Sequence, residues 1–258
     1  MSIGVQMKVK IEAACGCDMG KIRKNNEDNF FFHGTCLPAV NEGMEEILVS
    51  DSIAAKGTFY GVFDGVGGEC LGEVASSAAA STLKSLSKEG KPLFKSMDLY
   101  LNDTCKRLNE AVLFQKQEHK ASHMGSTLAL LYVTAKRVYA LNIGDSRIYR
   151  LKDNKLTQLS KDHCAKSLNP ARKPAITQYL GLDPDEMEIE PYMAQLPVER
   201  GDAYLVCSDG LTDMVSDLEI EQIMTVSDSA QVCVNNLIAA ALEHGGRDNV
   251  TAIICKIK

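Results

Sequence analysis

Acidic residues recur in short motifs spread over nearly the whole chain, each beside an apolar, β-rich run. The motifs are RKNNED (23–28), FDGVGG (63–68), IGDSR (143–147), CSDGLTD (207–213) and GRDNV (246–250). Carboxylates that end the strands of one sheet can converge at one rim, where they repel one another unless a cation neutralises them. Hard divalent ions, Mg²⁺ or Mn²⁺, prefer such oxygen ligands. The motifs therefore predict a site for divalent ions.

Each of these residues, taken alone, also has an ordinary structural interpretation. Asp64 precedes a Gly-rich turn and suits a cap, although Gly65 after it would also let a backbone carbonyl face a cation. Asp145 suits a hairpin turn, and Asp248 suits an Asx-turn before the last strand. The coincidence of so many acidic residues at strand ends favours the ion site.

Two further features extend the predicted site. Asp209 and Asp213 are one helical turn apart, so their side chains can face the same way. Arg23 precedes the acidic pair Glu27 and Asp28, and a guanidinium near an ion cluster is a good bidentate clamp for phosphate. The alternative for Arg23 is a surface cation that faces Glu27.

The elements that must position these residues follow from the apolar patterns. Strands are expected at 8–15, 29–33, 58–63, 126–133, 137–143, 147–151, 155–159, 187–195, 203–207 and 250–257, with a short one near 47–49. Helices are expected over 71–86, after the N-cap Ser96, after Ser216 and after Ser227 or Asp228, with a break at 90–92 and a short helix at 175–180.

This order differs from the βαβα alternation of a parallel sheet, and the short intervals between strands favour hairpins and a meander. We expect an α+β fold, a four-layer α-β-β-α sandwich in which two antiparallel sheets are flanked by helix pairs. No repeat or linker divides the chain, so residues 1–258 are expected to form a single domain.

Composition excludes several classes of function. The 258 residues are 45% apolar, enough for one large core. A net charge of −6 and no basic tract argue against binding nucleic acid or an anionic membrane. Nine cysteines, mostly in apolar runs, indicate reduced thiols, and packing is favoured over zinc for Cys15 and Cys17. With no signal-peptide pattern and no long apolar window, we expect a cytoplasmic protein.

From about Cys17 to Ile257 the motifs and their order resemble those of metal-dependent Ser/Thr protein phosphatases of the protein phosphatase 2C type, particularly compact bacterial members. The specific matches are DGVGG (64–68), MGST (124–127), IGDSRIYRL (143–151), CSDGLTD (207–213) and GGRDNVT (245–251). The fold of that family, a β-sandwich flanked by helix pairs, agrees with the architecture inferred from the residues. The resemblance implies hydrolysis of phosphoserine and phosphothreonine in proteins, with Mn²⁺ or Mg²⁺ as cofactor.

The resemblance also implies a role for each acidic position. Asp64 would bridge two core ions, and the carbonyl of Gly65 would bind one of them. Asp209 and Asp248 would bind the first ion. Glu27 would hold water on the second.

The resemblance implies further roles in the metal shell, in a third ion site and in phosphate binding. Asp28 would support the shell of the second ion. Asp145 and Asp213, together with Asp209, would bind a third and weaker ion. Arg23 would bind the phosphate. The implied chemistry is in-line attack on phosphorus by a water that bridges two ions, without a phosphoenzyme.

Some positions depart from the family pattern. Val66 stands where many members, mostly eukaryotic, have a histidine that acts as general acid. His163, at the start of a flap over 161–174 that is short for the family, is either a replacement proton donor or a structural residue. Gly68 and Glu69 lack the histidine that often follows the double glycine in bacterial members.

Other interpretations concern activity and partners. The main alternative is a pseudophosphatase that binds phosphoproteins or a regulator without catalysis. A phosphatase acting on an anti-sigma antagonist would be a variant in substrate only. The expected partners are phosphoproteins, themselves products of a Ser/Thr kinase, and the protein is expected to be a monomer.

Overall fold

The computed structural model describes residues 9–54, 57–67, 71–89, 96–166 and 173–258. Its strands are β1 (Lys10–Asp18), β2 (Asp28–Phe32), β3 (Leu48–Ile53), β4 (Thr58–Val66), β5 (Gly125–Ser126), β6 (Leu128–Val133), β7 (Arg137–Ile143), β8 (Arg147–Lys152), β9 (Lys155–Gln158), β10 (Tyr192–Pro197), β11 (Ala203–Cys207) and β12 (Val250–Ile257). Its helices are α1 (Gly72–Glu89), α2 (Met97–Glu118), α3 (Asp209–Thr212), α4 (Asp217–Val226) and α5 (Ala230–Glu243).

The strands form two antiparallel sheets. The first has the order β3-β1-β12-β11-β8-β9, and the second has the order β10-β7-β6-β4-β2 with β5 paired to β4. One apolar cluster fills the space between the sheets, a second lies between the second sheet and α1 and α2, and a third lies between the first sheet and α3, α4 and α5. These layers confirm the α-β-β-α sandwich.

The central strands explain why the sandwich forms. Residues of β6 and β11 are buried along their whole length, as expected for strands covered on both faces. Along β1, Cys15 and Cys17 point into the space between the sheets, whereas Ala14 packs toward the helices. Both cysteines therefore act as core residues, and the described cysteines are all free thiols.

Helix caps agree with the sequence at two of three positions. The hydroxyl of Ser96 accepts from the N–H of Leu99 to cap α2, and Ser216 caps α4 in the same way. The prediction of Ser227 or Asp228 as the next cap is wrong, because Ser229 caps α5. Ser227 instead ends α4, where its hydroxyl donates to the carbonyl of Ile223 at 2.6 Å.

The helix predicted at 175–180 is absent from that described segment. Ile176 and Leu180 instead form isolated bridges with Cys164 and Ser126. Two other predictions are also corrected. The strand expected from 187 begins only at Tyr192, and β7 and β8 are not a hairpin because they lie in different sheets.

The break predicted at residues 90–92 and the departure at Gly68 and Glu69 lie outside the described residues. So do residues 167–172 of the predicted flap. Among the helices that are described, none combines the length and apolar character needed to cross a membrane.

Candidate metal and phosphate site

The acidic motifs meet at one end of the sandwich, where residues from both sheets face one another. An open cavity of about 440 Å³ lies there. Its lining consists of Arg23, Glu27, Asp64, Gly65, Val66, Gly67, Asp145, Lys173, Pro174, Ile176, Asp209 and Asp248. The structure thus brings together most of the predicted site residues, while Asp28 and Asp213 contribute from outside the lining.

Asp64 and Gly65 lie near the end of β4. The backbone N–H of Asp64 donates to the hydroxyl of Thr127 at 3.0 Å, and the N–H of Thr127 donates back to the carbonyl of Asp64 at 2.8 Å. A Cβ on Gly65 would stand 2.2 Å from the carbonyl oxygen of Gly72, at the start of α1. Glycine at position 65 is therefore required for the close approach of the helix to the site.

Asp28 is buried opposite Asp64 in the β2–β4 pair. One of its oxygens accepts from the hydroxyls of Ser208 and Thr251, both at 2.7 Å. Burial raises the pKa of Asp28 to about 7, although the two hydroxyl donors oppose that change. Asp28 therefore joins the two sheets beneath the cavity.

Glu27 is positioned by Asn249, a residue to which the motif analysis assigned no role. The Oδ1 of Asn249 accepts from the N–H of Glu27 at 2.8 Å. Its Nδ2 donates to the carbonyls of Met19 at 2.8 Å and Asn25 at 3.0 Å. One buried amide thus fixes the loop that carries Arg23.

Arg23 lies on this loop and pairs with Asp248. Its guanidinium donates to the Asp248 carboxylate at 2.6 Å, and its side chain is 45% exposed. The loop backbone packs tightly here, since a Cβ on Gly20 would stand 2.3 Å from the carbonyl oxygen of Asp248. The charge of Arg23 also opposes the rise in the pKa of Glu27, as the alternative of a surface cation that faces Glu27 requires.

Asp145 lies where the chain crosses from β7 in one sheet to β8 in the other. The preceding Gly144 has a φ of +97°, a conformation that favours glycine. Both carboxylate oxygens of Asp145 are buried and have no hydrogen-bond partner in the described part of the chain. Burial raises the pKa of Asp145, an effect that the charge of Lys173 opposes.

Asp209 opens α3 and Asp213 follows its last residue, so the two lie one turn apart as predicted. The ammonium of Lys173 contacts the Asp209 carboxylate and lies 2.9 Å from Oδ2 of Asp213. It also lies 3.5 Å from Oδ2 of Asp145. Lys173 is therefore the second residue of the site that the sequence interpretation missed, and nothing in the local pattern around it indicated this position.

The charges around the cavity do not balance. Of its described lining residues, five are carboxylates and two are cations, Arg23 and Lys173. Burial raises the pKa of Asp64 well above its usual range, and the charges of Asp28, Asp145 and Asp248 add to that effect. Burial also raises the pKa of Glu27.

The described residues contain no ready-made group of three His, Cys, Asp or Glu ligands around one point. The two cations instead lie among the carboxylates. The donor set still fits divalent ions, because it consists of hard oxygen ligands, leaves an excess of negative charge and includes the unpartnered oxygens of Asp145.

Val66 and His163, the two described positions that bear on the proton donor, have different surroundings. Val66 lines the cavity and offers no proton. The Nδ1 of His163 accepts from the N–H of Gly144 at 3.2 Å, and the N–H of His163 donates to the carbonyl of Gly144 at 3.0 Å. This ring anchors the flap to the crossing that carries Asp145, which is the structural alternative for His163.

Comparison with known proteins agrees with the fold and identifies the family. Residues 50–243 match the family model described as protein phosphatase 2C. The chain is 31% identical over 257 residues to the serine/threonine phosphatase stp of Listeria monocytogenes serotype 4b (strain F2365), with 92% of each chain covered. It is 32% identical over 237 residues to the serine/threonine protein phosphatase PstP of Mycobacterium tuberculosis (strain CDC 1551 / Oshkosh), covering 84% of this chain and 44% of PstP.

Solved structures of serine/threonine phosphatases have a similar fold. The crystal structure of the Mycobacterium tuberculosis phosphatase PstP/Ppp superposes with a TM-score of 0.78 at 28% identity, covering 96% of this chain and 99% of that one. A structure of the PstP catalytic domain in complex with two manganese ions has a TM-score of 0.76, also at 28% identity and with the same coverage of both chains. The chain belongs to the protein phosphatase 2C family.

Proposed function

We propose that this metal-dependent serine/threonine phosphatase hydrolyses its phosphoprotein substrates in the cavity at the end of the sandwich. The convergence of acidic residues from both sheets on one cavity, beside Arg23, is the observation that supports this proposal. Asp64, Asp209 and Asp248 are the proposed carboxylate ligands of the core ions. The carbonyl of Gly65 is a further proposed ligand, and Glu27 would contribute to the shell of the second ion.

The ions, when bound, neutralise the carboxylates and lower the pKa of water so that it becomes a nucleophile at neutral pH. Mn²⁺ is the favoured core ion, because a relative has been described with two manganese ions. Mg²⁺ would suit the same oxygen ligands. Asp145, Asp209 and Asp213 are the proposed ligands of a third and weaker ion.

Arg23 is proposed to bind the phosphate. Its guanidinium has five N–H groups, and the described contact with Asp248 uses one nitrogen. Two adjacent N–H groups among those that remain can bind two phosphate oxygens in a fork. Such a fork would orient phosphorus toward the carboxylate cluster. Asp64, which lines the same cavity, is proposed to help position the nucleophile.

Supporting residues keep this arrangement rigid. Asp28, bonded to Ser208 and Thr251, is proposed to support the shell of the second ion by holding β2 and β4 in place against the first sheet. Because Val66 is apolar and the ring of His163 binds Gly144, we propose that the leaving alkoxide takes its proton from water in the open cavity.

The wider setting is also proposed. The substrates would be products of a Ser/Thr kinase, and nucleic acid is not expected as a partner because the net charge is −6. We propose a monomer in the cytoplasm, with residues 1–258 forming one catalytic domain. The pseudophosphatase alternative receives no support, since the relatives carry the names of phosphatases.

Hydrolysis of a phosphothreonine peptide tests the site. Wild-type protein should be active with Mn²⁺ and inactive with a chelator, and Asp209→Asn should lower kcat by orders of magnitude because a proposed ligand loses its charge. Asp228→Asn, an exposed aspartate before α5, is the matched control and should behave as wild type. Near-normal activity of Asp209→Asn would contradict the assignment.

A further inference from the structure

Lys173 lies among three carboxylates of the candidate site. Its ammonium contacts Asp209, lies 2.9 Å from Oδ2 of Asp213 and lies 3.5 Å from Oδ2 of Asp145. These are the same three carboxylates that the proposed function assigns to the third ion. No other lysine or arginine in the described ranges forms an ion pair with any of the three.

The backbone delivers Lys173 to this place by defined contacts. Cys164 and Ile176 form a bridge, and the N–H of Ala165 donates to the carbonyl of Ala175 at 2.8 Å. The adjoining His163 is bonded to Gly144. The segment that begins at Lys173 is therefore attached to the same crossing that carries Asp145, rather than being a loose surface chain.

Asp145 shows why a cation is needed here. Its two oxygens are buried and have no hydrogen-bond partner in the described residues, and a buried carboxylate without compensation is costly. The ammonium of Lys173 reaches it only at 3.5 Å, longer than a hydrogen bond to a charged group. The Lys173 side chain is 43% exposed, so it approaches from the solvent side and can withdraw.

We propose that Lys173 is a built-in competitor of the third ion, a proposal that rests on the proposed function. A divalent ion binds carboxylate oxygens at about 2.1 Å, so it cannot share these oxygens with an ammonium that lies among them. The two like charges also repel each other. Filling of the third site therefore requires Lys173 to leave, which couples occupancy by the ion to the position of the segment that begins at Lys173.

The competition between Lys173 and the third ion can be tested by measuring how many Mn²⁺ ions bind and how tightly. Calorimetry and the electron paramagnetic resonance signal of free Mn²⁺ give both quantities. Lys173→Met removes the charge and retains much of the length of the side chain. The weakest Mn²⁺ site should then bind about tenfold more tightly, which corresponds to about 1.4 kcal/mol, while the tight sites change less. Lys166→Met, in the same flap and exposed, is the matched control and should leave all sites unchanged.

A second readout follows Lys173 itself. An amine-specific reagent should modify Lys173 faster in saturating Mn²⁺ than in chelator, with Lys166 as internal reference. Unchanged or weaker affinity of the weakest site in Lys173→Met, or equal labelling of Lys173 in both conditions, would overturn the proposal. Tight Mn²⁺ binding that survives Asp209→Asn would instead overturn the proposed function, so the two failures are distinguishable.

Discussion

Replacing Asn249 with alanine tests how the loop that carries Arg23 is held. The Asn249 residue is only 3% exposed, and its side chain makes three hydrogen bonds to backbone groups of Met19, Asn25 and Glu27, at 2.8, 3.0 and 2.8 Å. Alanine leaves all three groups without this partner. Each lost buried hydrogen bond costs about 1 kcal/mol net, so the free energy of unfolding should fall by about 3 kcal/mol.

Urea unfolding in the presence of a chelator measures this loss, because bound ions would add stability of their own. The slope with denaturant should stay unchanged. Asn236→Ala on the exposed face of α5 is the matched control and should change stability by less than about 0.5 kcal/mol. With a phosphothreonine peptide and Mn²⁺, Asn249→Ala should also raise KM, because Arg23 loses its support. A loss below about 1 kcal/mol together with an unchanged KM would refute the reasoning.

Three further predictions concern the phosphate clamp, a close backbone contact and pH. Arg23→Ala should raise KM for phosphopeptides in steady-state kinetics, with exposed Lys24→Ala as control, and an unchanged KM would remove the clamp. Gly210→Ala places a Cβ 2.0 Å from the carbonyl oxygen of Asn249, so Tm and Mn²⁺ affinity should both fall, and a wild-type Tm would contradict the contact. Because the pKa of Asp28 is raised from 3.8 to about 7, the folded chain binds protons more tightly than the unfolded chain. In the presence of a chelator, the Tm should therefore decrease as pH rises from 4 to about 7. A Tm that stays constant over this range would contradict the prediction.

Local patterns were sufficient where an element is specified by its own residues. The bounds of β7 match the predicted 137–143, and the cap at Ser96 is as expected, because burial periodicity and capping chemistry are local. The helix predicted at 175–180 failed for the opposite reason. Ile176 and Leu180 have helical spacing, but each pairs with a residue elsewhere in the chain, Cys164 and Ser126, and such partners cannot be seen in a local window.

The site shows the same division. Acidic residues at strand ends could be recognised, because several carboxylates in one place call for cations whatever the details of the fold. Asn249 lies within the GRDNV motif, but its role could not be predicted because its partners Met19 and Asn25 are distant in sequence. Lys173 comes from a segment without periodicity, and its position depends on the crossing between the sheets.

The positions of the two cations connect ion binding to substrate binding. Arg23 pairs with Asp248, and Lys173 pairs with Asp209, so each cation lies on a carboxylate that we propose binds the first ion. An ion bound at those oxygens would weaken both pairs, because it would compete for the same negative charge. The guanidinium of Arg23 then has more of its N–H groups available for phosphate, at the moment when the carboxylates no longer repel a phosphate. We therefore expect ions to bind before the substrate, with the internal cations holding the acidic residues together until then.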